Sequence, residues 1–283
     1  MYYTLEVMVF RHMLIIAMCL GFNLSLTFAQ ENQLLLAVVP EFPPSVIYNN
    51  WQPYVDYLSN QLGISVKLVI YETVASFEQG FLQGAPDIAF LNPYHMVMAQ
   101  QTQGYRPLLS DGSRQLKGVL VVRADDPIQS LQELQGKTVA FPSPNLIGSS
   151  LYMRALLSEV AGINVNANYV DTHANSYRHT FMKHSAAGAG TWYSLTQEEE
   201  SLKQSLKVIY ETPGITPHPL AAHPRVSADV QNAVVAATLA LYQTTEGRNL
   251  LQAIQLPEPF VSDYQRDYAA LGGLGLERYL LIP

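Results

Sequence analysis

Two textures of apolar residues alternate along the chain. Short unbroken runs are stopped by proline, glycine or asparagine, and between them lie stretches whose apolar positions recur every three or four residues. Leu34–Val39, halted by Pro40, reads as a buried parallel strand. Pro53–Leu62 carries Tyr54, Val55, Leu58 and Leu62 at helical spacing and is closed by Gly63. Ser65–Tyr71 predicts a strand, Val74 to Leu82 a helix ended by Gly84, and Asp87–Leu91 a further buried strand. Asn92 then reads as an N-cap with Pro93 in the first helical position, opening a helix to about Gly104.

The alternation restarts with strands at Lys117–Arg123, Thr138–Phe141, Asn168–Val170, Ala186–Thr191 and Lys207–Tyr210. Helices are expected between them at Ser130–Leu134, Gly148–Val160, Asn175–Lys183 and around Leu195–Leu202. From Ser227 onward the pattern is helical, in three pieces: Val230–Tyr242, Thr245–Ile254 and Ser262–Leu271. Strand–helix alternation of this kind predicts an α/β fold with mostly parallel sheets. Two such blocks, no low-complexity linker and a helical tail predict two lobes with two chain crossings, near Asp111–Lys117 and Glu211–Pro219. The tail is then expected to pack back on the first lobe, giving one lobe from 30–113 with 217–283 and another from 114–216. Ligands of open α/β sheets bind at strand ends, here in the cleft between lobes.

The first residues change the cellular picture. Arg11 and His12 precede an apolar run from Met13 to Leu26, followed by Thr27-Phe28-Ala29 and polar Gln30-Glu31-Asn32. This is the layout of a secretory signal, expected over residues 1–29, and places the mature protein in the periplasm. The single cysteine, Cys19, lies inside it, so disulfides, thiolate metal sites and cysteine nucleophiles are not expected after cleavage. Composition adds exclusions. With 16 Lys+Arg against 23 Asp+Glu in 283 residues the chain is acidic, which argues against a nucleic-acid partner. Enzyme motifs are missing too: Gly148-Ser149-Ser150-Leu151 lacks the second glycine of a nucleophile elbow, and there is no phosphate loop or zinc-protease helix. His179 and His184, like His218 and His223, are five apart, a poor interval for two metal ligands on one helical face. No metal, cofactor or catalytic activity is expected. Asp125-Asp126 reads as a turn and Glu198-Glu199-Glu200 as a solvated helix start.

Candidate chemistry sits at helix starts. Pro142-Ser143-Pro144-Asn145-Leu146-Ile147-Gly148-Ser149-Ser150 joins a strand to a helix, and its free N–H groups and hydroxyls suit an oxyanion. Asn92-Pro93-Tyr94-His95 repeats the arrangement in the first lobe, and His173 follows a strand end from which its imidazole could reach the same place. Ordinary helix capping explains the same residues equally well.

Four segments resemble a known family: Asp87–His95, Leu116–Arg123, Leu134–Asn145 and Pro217–Arg225 are similar to the phosphate/phosphite/phosphonate-binding proteins, periplasmic solute receptors of ABC importers. The resemblance spans about residues 33–282. It implies the type II periplasmic-binding-protein fold, a small anionic solute captured by hinge closure, and delivery to an inner-membrane ABC permease. A sensing role with a separate membrane histidine kinase is the alternative, and a monomer is expected. The resemblance carries over Tyr94, His173 and the loop before the Gly148 helix, and with the helix-start reading the ligand-binding set is Asn92, Tyr94, His95, Ser143, Asn145, Gly148, Ser149, Ser150 and His173. Two departures stand out. Leu146-Ile147-Gly148-Ser149 occupies the place of a Ser-Thr-Ser-Gly run, and Ala187-Gly188-Ala189-Gly190 stands where an amine-gripping acid would be.

Overall fold

The computed structural model describes residues 33–281; the export signal expected over 1–29, and Cys19 with it, lies outside the described residues. Strand β1 (Gln33–Val38) leads through the loop Val39–Pro43 into helix α1 (Pro44–Leu62). That helix begins nine residues earlier than its apolar spacing suggests and carries Pro53 in its interior. The missing N–H is tolerated because Ile47 and Trp51, N-terminal to the proline, are already buried against the sheet. Strand β2 (Ser65–Ile70), helix α2 (Val74–Leu82), strand β3 (Ile88–Phe90), helix α3 (Pro93–Gln103) and strand β4 (Arg106–Asp111) follow.

The chain then builds a second sheet. Strand β5 (Gly118–Arg123) and β6 (Thr138–Phe141) precede α4 (Tyr152–Ala155), a short α-turn between π-helical turns Ile147–Leu151 and Leu156–Val160. After β7 (Asn166–Tyr169) come α5 (His173–Phe181), β8 (Ala187–Thr191), α6 (Trp192–Thr196), α7 (Glu200–Gln204) and β9 (Leu206–Glu211). The single helix expected over Leu195–Leu202 is thus two short ones. Beyond it lie β10 (Leu220–Ala222), α8 (Ala228–Leu241), α9 (Thr245–Ala253), β11 (Pro259–Val261) and α10 (Tyr264–Asp267).

The larger sheet has the order β11-β4-β10-β3-β1-β2 and the smaller β7-β6-β8-β5-β9; both are mixed and not mostly parallel, with three parallel strands along one side and antiparallel pairing across the rest. The chain therefore leaves the first sheet after β4 and returns with β10, and the two crossing segments pair once, at Leu116 and Ile215. This is the two-lobed α/β arrangement. Strand β8 is made of small residues for a packing reason. A side chain on Gly190 would overlap the Tyr177 hydroxyl, and one on Gly188 would overlap Thr180, because α5 lies directly on this strand.

One apolar cluster fills the larger lobe, with Trp51, Tyr54, Phe77, Phe81 and Phe90 among its members. Leu146, Ile147, Leu151 and Ala155, which follow a strand of the other sheet, belong to it as well. The lobes are joined there by shared hydrophobic packing in addition to the two chain crossings.

Candidate functional site

The C-terminal ends of β1 and β3 and the segments that follow β7 and β8 meet at one cavity of about 350 Å³. Val38 and Val39 at the end of β1, Phe90 at the end of β3, and Phe42, Ile47 and Trp51 line it from the larger lobe. Thr172, His173 and Arg178 on α5, with Tyr193 and Glu198, line it from the smaller. This is where strand polarity in an open α/β sheet puts a ligand, because each strand delivers a loop and a helix start to that edge.

Thr172 caps α5, its hydroxyl accepting from the N–H of Asn175 at 3.1 Å. The N–H groups of His173 and Ala174, in the first turn, remain outside the helix's own bonding, and both residues line the cavity. His173 is only 2% exposed, and its Nε2 shares a hydrogen bond with the Ser149 hydroxyl at 3.1 Å. Its Nδ1 has no hydrogen-bond partner among the described residues. Burial pushes the imidazole below the usual histidine value, so it sits neutral at neutral pH.

Opposite stands Glu41, in the loop after β1. Its carboxylate meets His218 Nε2 at 3.0 Å, both side chains being buried. Burial pushes this carboxyl up, yet the attraction and hydrogen bond of His218 prevail and hold it at about 2. His218 is fixed in turn: its ring stacks on Phe90 with centroids 5.4 Å apart, and the Ser110 and Tyr268 hydroxyls donate to the Pro217 carbonyl. Glu198 departs from its expected place on a solvated helix start. It lines the cavity, its side chain 11% exposed, 3.5 Å from Arg178. Burial raises its carboxyl above the usual value, against the pull of Arg178. Aromatic faces complete the walls: Trp51 and Phe90 lie 4.8 Å apart, and Phe42 meets Tyr193 edge-on at 6.2 Å across the cleft.

Of the nine residues singled out in the sequence, only His173 lines this cavity. Ser149 supports it from behind, while Ser150, fully buried beside it, has an unpartnered hydroxyl. Asn92 caps α3 by accepting from the N–H groups of Tyr94 and His95, and its amide donates to the Asn145 carbonyl. His95 is paired with Glu78 at 2.9 Å, and Glu78 accepts from the Asn145 amide at 3.0 Å. Asn145 also grips the C-terminal segment, donating to the Leu281 carbonyl and accepting from its N–H. Asn92, His95 and Asn145 thus form a buried polar bridge between lobes. Ser143 sits at a separate crevice beside it, Gly148 packs its carbonyl against Gly118, and Tyr94 is buried in the larger lobe's core. The apolar pair Leu146-Ile147 is buried against that same core.

Sequence reasoning missed Glu41, Phe42, Arg178 and the role of His218. Position was the available signal for Glu41, which follows the C-terminal end of the first parallel strand.

Comparison with known proteins now bears on the same architecture. A family model described as the periplasmic substrate-binding protein of ABC phosphonate transporters matches residues 36–268. The chain belongs to this family. A phosphate-import protein of Mycolicibacterium smegmatis, PhnD, is 28% identical over 131 residues, 44% of this chain and 41% of that protein, so the chain spans about two fifths of that relative's length. Among solved structures, a binding-protein component of an ABC phosphonate transporter from Pseudomonas aeruginosa superposes with a TM-score of 0.78 at 17% identity, covering 88% of each chain. PhnD1 from Prochlorococcus marinus in complex with methylphosphonate gives 0.77 at 16% identity, over 88% of this chain and 98% of that one. At these identities the likeness is one of fold. The family is one of transport receptors, not enzymes, and no helix among the described residues is long and apolar enough to cross a membrane.

Proposed function

We propose that this binding protein captures a small oxyanion of the phosphonate, phosphite or phosphate kind between its lobes and hands it, as a monomer, to an ABC permease. The single observation carrying the reading is the cavity at the strand ends, lined by Thr172, His173 and Ala174 at the start of α5, whose first N–H groups are free of intrahelical bonds. Charge-assisted hydrogen bonds contribute about 1.5–3 kcal/mol each, so a few of them account for much of a micromolar affinity. In this reading the oxyanion rests at α5, because the loop before Gly148 is committed to packing between lobes. We assign the lobes as 30–113 with 217–283 and 114–216, closing about the crossings, and residues 1–29 as the export signal. Calorimetry with methylphosphonate, phosphite, phosphate and alkyl sulfonates tests the proposal. One or more oxyanions should bind, and His173→Ala should weaken that binding at least tenfold. Absence of heat across the whole panel overturns it.

A further inference from the structure

The cavity is larger and more acidic than a bare phosphonate needs, and part of its wall is apolar. Methylphosphonate has five non-hydrogen atoms. At about 30 Å³ for each water-sized group they fill about 150 Å³, under half of the 350 Å³ present. Pockets of this size with apolar linings hold larger organic ligands. The apolar surface open to the cavity is carried by Phe42, Pro43 and Val46 of the larger lobe, with Tyr193 facing Phe42 from the other lobe, while Val39, Ile47, Trp51 and Phe90 lie beneath them in the core. Flat apolar groups suit such walls, since aromatic rings gain from offset and edge-on neighbours.

Charge points the same way. Glu41, Glu198 and Glu199 border the cavity, against one guanidinium, Arg178, which already lies 3.5 Å from Glu198. A first negative charge can rest on the N–H groups at the start of α5, beside His173 with its unpartnered Nδ1. A second meets no further cation among the lining residues and faces the carboxylates of Glu41 and Glu198.

We propose that the ligand is a singly charged oxyanion ester carried on an aryl or similarly flat apolar body, its charged head at the start of α5 and its body against Phe42, Val46 and Tyr193. This rests on the oxyanion reading above and narrows it.

The test compares three probes at pH 8: methylphosphonate, phenylphosphonate and the monomethyl ester of phenylphosphonate, which keeps one charge. The ester should bind at least tenfold more tightly than methylphosphonate and more tightly than phenylphosphonate. Glu41→Gln should shrink the gap between the two aryl probes about tenfold. Should that variant fail to fold, Gln255→Lys, which adds a cation at the cavity wall, should shrink it as well. In a Trp192→Phe background Trp51 is the only tryptophan left, and the aryl ligands should change its fluorescence. Equal or tighter binding of methylphosphonate overturns the inference and leaves the oxyanion reading standing. Binding of benzylamine or benzyl alcohol, with no oxyanion bound, overturns both.

Discussion

Replacing Glu41 with glutamine isolates the buried pair at the heart of the cleft. Wild-type Glu41 is held at about 2 against a usual 4.5. At about 1.4 kcal/mol per decade, that depression corresponds to a stabilisation on the order of 3 kcal/mol. The sign follows from the direction. A carboxyl whose folded value lies below its unfolded one contributes fully above pH 4.5, and the contribution drains away as pH falls towards 2. Glu41→Gln should therefore unfold more easily than wild type at pH 7 by about 3 kcal/mol, consistent with breaking a buried pair. The gap should close steadily between pH 5 and 2. Urea titrations of both proteins across that range measure it, and the acid groups common to both cancel in the difference. Because both partners are buried, added salt should leave the gap nearly unchanged. A gap that stays constant from pH 5 to 2 would refute the assignment of Glu41 as an ionised partner of His218. His173 adds a separate signature in the same direction. Its lowered value means stability declines once pH drops below 6.5, and His173→Gln should flatten that shoulder.

Three further perturbations probe how the lobes are joined. Leu146→Ser, which adds a hydroxyl at this helix start, should cost about 3 kcal/mol and lower Tm by roughly 6–12 °C without tightening oxyanion binding, because the side chain is buried in the apolar cluster; tighter binding would contradict the placement. Asn145→Ala removes bonds to Glu78 and to both backbone groups of Leu281, and should speed hydrogen exchange at Leu281 along with a loss of about 1–3 kcal/mol. Gly118→Ala sets a methyl group against the Gly148 carbonyl, backbone to backbone, so a destabilisation of 2 kcal/mol or more is expected in thermal unfolding.

Most of the fold is legible in the sequence because buried parallel strands are continuous apolar runs and the helices between them are capped and closed by Asn92, Gly63 and Gly104. Illegible were β4, β10 and β11. Two of these are three-residue antiparallel strands flanked or opened by proline, too short to show any period. The helix at 147–160 was visible, its π-turns were not, since a change of hydrogen-bond register leaves no mark in composition. The site was harder. His173 could be found from its motif, whereas Glu41 and His218 are 177 positions apart and meet only because β1 and β10 flank β3 in one sheet. Glu198 looked solvated as part of an acidic triplet; only the packing of α5 beside it turns it inward. Asn92, His95 and Asn145 drew notice as polar residues at helix starts, and the same property serves a buried bridge just as well as a ligand.

The shared packing of Leu146 and Ile147 carries a consequence for how such a receptor rests when empty. Prising the halves apart along that side would wet two large side chains, at about 1.5–3 kcal/mol apiece, so the gape must widen from the opposite rim.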